Sequence, residues 1–250
     1  MRLCRPCTSG RGTRSYAPGV TDTRARLLRA VRRDGVHGVL ERAAAAALSR
    51  LYGRESHVWI ALRLDEERPR PSLPEGYVMS RGGVADLPAL VGLGVDVQQA
   101  AQRLADGTEL WLIWHSRDVV YSGWVFHGSA PTIAGPHGRV RLPPGSVNPE
   151  DMVTLPAHQG RGLASAAYRL IFDDLQRTGR ADQVLGKVPL DNTANRRAVQ
   201  KAGWLEFAVV RFTRLGPWSR TTVRALPAEH GPLPPGAAEL TSWLTAAMRA

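Results

Sequence analysis

Hydrophobic and polar positions follow two different periods along the chain, and the switches between these periods predict its elements. Over residues 23–52 apolar side chains recur every three or four positions, which predicts two amphipathic helices divided near Gly35 and Gly38. Short apolar runs rich in β-branched and aromatic residues follow, separated by turns. They predict strands over residues 57–65, 77–82, 110–115 and 119–128, with two helices over 84–106.

The second half of the chain alternates strands with helices. A strand ending near residue 154 precedes a helical pattern over 162–178, and a strand over 183–188 precedes a helix over 193–202. Final strands are predicted within residues 207–215. A tail interrupted by proline and glycine follows and ends in a helical run. The glycine- and proline-rich stretch between residues 129 and 147 predicts no particular strand pairing.

The segment Met152–Ala164, with the sequence MVTLPAHQGRGLA, joins a short apolar run to the start of a helix through a glycine-rich turn. The first N–H groups of a helix have no partner within it, and the helix dipole adds partial positive charge at that end. Gly160 and Gly162 carry no Cβ, so a phosphate could approach the backbone closely and strained dihedral angles are accessible. The segment therefore predicts a cradle for a diphosphate.

Two kinds of diphosphate ligand suit such a turn. Gly160-x-Gly162-x-x-Ser165 is a shortened form of the dinucleotide-binding fingerprint between a strand and a helix. The wider string Gln159-x-x-Gly162-x-Ala164 resembles the acetyl-CoA-binding motif of the GNAT superfamily of N-acetyltransferases. Residues 188–204, VPLDNTANRRAVQKAGW, are similar to the second motif of that family, an Asn-rich turn and a helix followed by glycine and an aromatic residue. Two motifs in this order favour the acetyltransferase fold over the dinucleotide fold.

The resemblance implies an α/β (α+β) fold with a GNAT-type mixed, mostly antiparallel central sheet flanked by helices. It divides the chain into four regions: a disordered basic tail at 1–22, an N-terminal extension of helices and a strand at 23–75, the GNAT acetyltransferase domain at 76–216, and a C-terminal extension with a terminal helix at 217–250. The terminal helix would either cap the domain or form a homodimer.

Acetyl-CoA is the cosubstrate that the resemblance implies. The amides of the glycine loop would hold the CoA diphosphate, Gln159 would brace the loop, and the backbone of the preceding strand would pair with the pantetheine arm. Asn192 and Asn195 would touch pantetheine or the region of the sulfur, or would only start a helix. The CoA-binding set is therefore predicted as Met152, Val153, Thr154, Gln159, Gly160, Arg161, Gly162, Leu163, Ala164, Asn192 and Asn195.

The implied reaction is direct transfer of an acetyl group to an amine in a ternary complex, since no cysteine near the motifs could carry the acyl group. The amine must lose a proton, and Glu150, Asp151 and His127 are candidate general bases, each of which could instead be a surface or strand-end polar residue. Many family members carry a tyrosine acid where this chain has Val199, which donates no proton. Another group, the collapsing intermediate or water would then protonate the thiolate, or the protein would be a non-catalytic CoA-binding or interaction module. The identity of the amine acceptor is left open.

Charge and cysteine content add secondary predictions. Residues 1–55 contain twelve arginines and four acidic residues, a net charge of +8 out of +11 for the chain, which indicates a solvated basic face or weak contact with an anionic surface. No nucleic-acid partner is expected.

Cys4 and Cys7 could be half a zinc site or a redox pair, but they lie in a polar tail, so no metal is predicted. Neither a membrane-spanning stretch nor a secretory signal is evident, and a cytoplasmic protein is expected.

Overall fold

An eight-stranded sheet is the centre of the computed structural model, which describes residues 52–64, 72–226 and 236–249. All of these residues belong to one unit, Tyr52–Ala250. The predictions for the basic tail, the two N-terminal helices and the two cysteines lie outside the described residues.

The strands and helices follow the predicted order closely. The strands are β1 Tyr52–Arg63, β2 Tyr77–Gly82, β3 Glu109–His115, β4 Asp118–His127, β5 Ser129–Pro131, β6 Arg139–Arg141, β7 Ser146–Thr154, β8 Gln183–Pro189, β9 Leu205–Leu215 and β10 Trp218–Ala225. The α-helices are α1 Val97–Ala105, α2 Leu163–Arg177, α3 Thr193–Lys201 and α4 Ala237–Ala247, and a 3-10 helix spans Val84–Leu93. The first of the two helices predicted over 84–106 is thus a 3-10 helix.

The main sheet has the order β10-β9-β1-β8-β7-β4-β3-β2, and β5 pairs with β6 in a separate two-stranded sheet. Every pair in the main sheet is antiparallel except β7 with β8. This is the mixed, mostly antiparallel sheet that the sequence predicts. A dinucleotide-binding fold needs successive parallel strands, and the described residues contain only this one parallel pair.

The main sheet extends beyond the range 76–216 at both ends. The strand predicted at 57–65 lies between β8 and β9, and its residues Val58–Leu62 are buried on both faces, as a central strand requires. Residues 218–225, assigned to the C-terminal extension, form the edge strand β10 instead of irregular chain. A two-residue turn at Gly216 and Pro217 joins β10 to β9, so the proline and glycine mark a hairpin here.

Side chains alternate between two apolar layers, one on each face of the sheet. Val125 packs with Ile171 and Leu175 of α2 on the first face. Its neighbours Trp124 and Phe126 belong to the cluster on the second face, which includes residues of the 3-10 helix, α1 and α4. Because successive strand residues point to opposite faces, this division places α2 on one side of the sheet and the 3-10 helix, α1 and α4 on the other. Val199 of α3 packs on Val58, Ile60 and Val188, which share the α2 face, so α3 lies on the same side as α2.

The sheet opens between β7 and β8. The two strands pair only where Ser146 and Val147 face Gln183 and Val184, and the Asn148 amide nitrogen then donates to the carbonyl of Leu185 at 2.7 Å. Beyond that point β7 pairs with β4 and β8 pairs with β1. The later half of β7 therefore keeps one backbone edge without a recorded strand partner among the described residues.

Candidate active site

The glycine-rich loop continues directly from the open half of β7. A single 3-10 turn, Pro156–His158, leads to Gly160 and Gly162, whose φ angles are +74° and +75°, and α2 begins at Leu163. A side chain at either glycine would meet nothing within 4 Å, so these positions require glycine for their dihedral angles and face open space. Within the described ranges, the N–H groups of residues 160–165 have no recorded intramolecular acceptor. The loop thus presents a row of free donors at a helix start.

Hydrogen bonds and ring contacts to β7, β2 and β3 hold this loop in place. The Gln159 amide nitrogen donates to the carbonyl of Thr154 at 3.1 Å, which ties the loop to the end of β7. The Tyr77 hydroxyl hydrogen-bonds His158 Nδ1 at 2.9 Å and accepts from Arg161 at 3.3 Å. The ring of His115 packs against both Tyr77 and His158. The loop is therefore anchored on the adjoining ends of β2 and β3, while Arg161 remains exposed.

A β-bulge interrupts β7 at Asp151, which has a φ of +51°. Its carboxylate turns outward and accepts from Arg103 of α1 at 2.6 Å. The next side chain, Met152, crosses over Gly123 of β4, and a Cβ at Gly123 would collide with its sulfur. The Tyr121 hydroxyl donates to the same sulfur at 2.9 Å. Gly123 is consequently required by the close approach of Met152.

Glu150 faces Lys187 across the opening, with 2.8 Å between the carboxylate and ammonium groups and side chains only 17% and 16% exposed. Glu150 lies opposite Trp124 and Lys187 lies opposite Trp59, so both point to the sheet face away from α2. Lys187 also donates to the carbonyl of Pro131 at 2.7 Å. Burial raises the pKa of Glu150, and the opposing effect of Lys187 does not cancel it. A partly buried carboxyl with a raised pKa is therefore set beside the bulge.

Asn192 and Asn195 lie at the start of α3, and both side chains are exposed. The Asn192 side-chain oxygen accepts the backbone N–H of Asn195 at 3.1 Å, which is the bonding of a helix cap. At the far end of α3, Val199 packs against the buried cluster of Val58, Ile60 and Val188. The position where a family member often carries tyrosine is thus part of an apolar contact.

His127 lies apart from this group. It faces Val147, three residues before Glu150 on β7, which corresponds to about 10 Å along the strand. Its Nε2 lies 2.9 Å from a carboxylate oxygen of Glu109. Glu109 also binds Arg180, and Arg180 and Arg81 share Asp174. His127 therefore belongs to a charge cluster near the end of α2, while the other predicted residues lie around the opening and the loop.

Sequence reasoning missed several residues that shape the site. Lys187, Gly123, Tyr77 and Arg103 come from four different elements, and none of them belongs to a recognised motif. Lys187 alone carried a signal: it is one of only two lysines in a chain with 33 basic residues. The other three become relevant only when the strands are paired.

A cavity of about 1170 Å³ lies elsewhere, lined among others by Leu64, Pro143, Asp182 and Trp243. It contains none of the loop residues, so the glycine-rich loop is an open cradle and not the wall of this cavity. No group of three or more His, Cys, Asp or Glu side chains suited to a metal ion occurs in the described part of the chain. None of the helices in that part is long and apolar enough to cross a membrane.

Comparison with known proteins gives matches at the level of structure. No family profile matches the chain, and no curated protein matches it. Similar solved structures include a protein described as a GNAT-family acetyltransferase from Novosphingobium aromaticivorans, with 18% identity over 66% of this chain and 65% of that one, and a TM-score of 0.45. A tandem GNAT protein from the clavulanic acid biosynthesis pathway has 14% identity over 76% and 59% of the two chains, with a TM-score of 0.47.

A GCN5-related N-acetyltransferase from Sphaerobacter thermophilus is similar at 14% identity, over 74% of this chain and 56% of that one, with a TM-score of 0.45. The chain spans about three fifths of the length of these three solved structures. The names of these three structures include the family that the sequence resembles.

Proposed function

We propose that this protein is an acetyl-CoA-dependent N-acyltransferase that moves an acetyl group directly to an amine. The observation that carries the proposal is the opening between β7 and β8 together with the loop that follows it. The open edge of β7 leads without interruption to the free N–H groups of residues 160–165 at the start of α2. A diphosphate fits the donors, and an extended amide-bearing arm fits the strand edge.

The two parts of the site suit the two parts of CoA. Gly160 and Gly162 leave open space above the loop, so phosphate oxygens can approach the backbone without a side chain in the way. The backbone of Met152, Val153 and Thr154 offers hydrogen bonds to the pantetheine amides, as an added strand would receive them. Fixing the thioester beside the amine removes much of the entropy cost of bringing two reactants together.

Glu150 is the general base in this proposal. Its raised pKa makes its carboxylate a stronger proton acceptor than an ordinary glutamate, and it stands beside the bulge where the thioester end of an arm bound along β7 would lie. The charge and hydrogen bond of Lys187 favour the ionised carboxylate and so limit the rise in the pKa of Glu150. An N–H of β7 at the bulge would stabilise the tetrahedral oxyanion. Asp151 turns outward to Arg103, whereas Glu150 faces the opening, which supports Glu150 over Asp151 as the base.

A pair of substitutions at Gly162 tests the cradle. Gly162→Asp and Gly162→Asn add side chains of nearly equal size, and both residues tolerate positive φ better than most, so the variants differ mainly in charge. Calorimetric titration of acetyl-CoA into the wild type and both variants should show binding that the Asp variant weakens about tenfold more than the Asn variant, because a fixed negative charge opposes the diphosphate. NADH, titrated in the same way, should not bind.

Transfer is then measured with pools of amine acceptors, because the acceptor must be identified by experiment. Acetyl-CoA binding with turnover on at least one pool supports the enzyme. Acetyl-CoA binding without turnover on any pool favours a CoA-binding module. A wild type that fails to bind acetyl-CoA, or that prefers NADH, contradicts the proposal.

A further inference from the structure

Transfer from a thioester ends with the departure of a thiolate, and the structure gives Val199 no means of protonating it. Val199 packs against Val58, Ile60 and Val188, so its position is filled by apolar contacts. On the same side of the opening, α2 carries a hydroxyl at Tyr168. The side chain of Tyr168 projects from the second turn of the helix that begins at the diphosphate cradle.

Tyr168 lies at the depth along the site where the thioester would be. It follows Gly162 by six residues, which places it about 9 Å along α2 from the loop. Because β8 runs parallel to β7, the helix between them returns along the sheet in the opposite direction. A return of about 9 Å corresponds to about three strand residues, which reaches from the end of β7 to Met152 and the bulge.

Side-chain contacts agree with this position. Tyr168 and Met152 pack against the same buried cluster, and the Tyr168 ring packs on Phe172, with 5.7 Å between centroids. The Phe172 ring in turn contacts Trp204, the aromatic residue that follows α3, at 5.9 Å. Tyr168 is therefore held between the β7 side and the α3 side of the opening.

The Tyr168 hydroxyl is free to act as a donor. It has no recorded hydrogen-bond partner among the described residues, whereas the neighbouring Tyr121 hydroxyl is bound to the Met152 sulfur. Burial, with the nearby charge of Glu150, raises the pKa of Tyr168 to about 12. The phenol thus keeps its proton at any pH at which the protein would work.

We propose that Tyr168 is the catalytic acid that protonates the departing CoA sulfur, an inference that rests on the proposed function. The amine nitrogen forms a bond to the thioester carbonyl carbon, and Glu150 accepts the proton that the amine loses. When the tetrahedral intermediate collapses, the carbon–sulfur bond breaks and its electron pair goes to sulfur, which takes the phenol proton of Tyr168. Solvent returns a proton to the tyrosinate and removes the one on Glu150.

The test uses Tyr168→Phe, which keeps the ring contacts and removes only the hydroxyl. The first readout is the pKa of the thiol of CoA bound to the full-length protein. This pKa is measured from the ultraviolet absorbance of the thiolate across a pH titration. Donation from Tyr168 stabilises the thiolate, so the variant should raise the pKa of the bound thiol by about one unit. Tyr121→Phe removes a neighbouring buried hydroxyl and should leave the pKa of the thiol as in the wild type.

The second readout is turnover on an acceptor found for the wild type. Tyr168→Phe should lower kcat by about 10²-fold, with the dissociation constant for CoA changed by less than about threefold. If the variant binds CoA normally and keeps both the thiol pKa and kcat of the wild type, Tyr168 is not the acid. A shift of the thiol pKa by Tyr121→Phe as large as that by Tyr168→Phe also overturns the inference. Failure of the wild type to bind CoA overturns the proposed function and, with it, this inference.

Discussion

Two partly buried glutamates on the same sheet have pKa values driven in opposite directions. Burial by itself would raise the pKa of Glu109, but hydrogen bonds from His127 and Arg180 and the charges of Arg180 and Arg81 outweigh it and hold the pKa at about 2. Burial likewise raises the pKa of Glu150, and there Lys187 is the main opposing charge and does not cancel the effect. Glu109 has more cationic partners than Glu150, and Glu150 is the more deeply buried of the two, so partners and burial together set the difference.

The comparison distinguishes a carboxylate that stabilises the fold from one that is suited to chemistry. Glu109 is more stable ionised in the folded protein than in the unfolded chain, so its ionisation stabilises the fold. Glu150 is less stable ionised in the folded protein, so its ionisation at neutral pH costs stability. A residue that destabilises its own fold and faces an opening in a sheet is a candidate for function.

The largest expected effect is on activity at Glu150. Glu150→Gln keeps the shape of the side chain and removes the proton acceptor, so kcat should fall about 10²- to 10³-fold while acetyl-CoA still binds. Steady-state transfer rates and a calorimetric titration measure the two quantities. The control is Glu109→Gln, which should keep kcat within about twofold of the wild type. Equal losses of kcat in both variants would contradict a catalytic role for Glu150 and a purely stabilising role for Glu109.

The next effect is on stability at Glu109. Its folded pKa of about 2 lies below the 4.5 of an ordinary glutamate, so its stabilising contribution is fully present above about pH 4.5 and is lost as the pH falls towards 2. A shift of this size corresponds to about 3 kcal/mol, and Glu109→Gln should lower the free energy of unfolding by up to that amount at pH 7. Urea unfolding of both proteins at pH 7 and pH 3 provides the measurement. The difference between the proteins should shrink at pH 3, and a difference that stays constant would be the contrary result.

The pH dependence of the reaction also distinguishes Glu150 from Glu109. The pKa of Glu150 is raised, so its base form is lost at a higher pH than an ordinary glutamate would lose it. The rate should therefore decline with falling pH before the protein begins to unfold through Glu109. Measuring kcat/KM and the thermal midpoint across the same pH series tests this order. Coincident declines would mean that the rate follows unfolding and not Glu150.

The smallest expected effect is at Asn192. Asn192→Ala removes the side-chain oxygen that caps α3 and should lower the free energy of unfolding by about 1 kcal/mol. Asn192→Asp keeps a capping oxygen and should restore the stability. If the Asn192 amide nitrogen also binds pantetheine, the aspartate variant will have weaker affinity for acetyl-CoA at normal stability; unchanged affinity would limit Asn192 to the cap.

The elements around the cradle could be read from the sequence because their signals are local. Gly160 and Gly162 adopt positive φ, α2 starts one residue later, and Thr193–Lys201 forms a helix after an Asn cap, all close to the predicted positions. The strand at residues 218–225 was not predicted, because its alternation of arginine with threonine and valine is that of an exposed edge strand without an apolar face.

The sequence by itself determined the strand–loop–helix cradle, since the residues that form it are neighbours and the dihedral angles of two glycines shape it. Only the tertiary structure decided which carboxylate has a raised pKa and which a lowered one. Lys187 reaches Glu150 from 37 positions along the chain, and Arg180 reaches Glu109 from 71 positions. Burial and charge, which set a pKa, depend on these long-range contacts, and no local pattern records them.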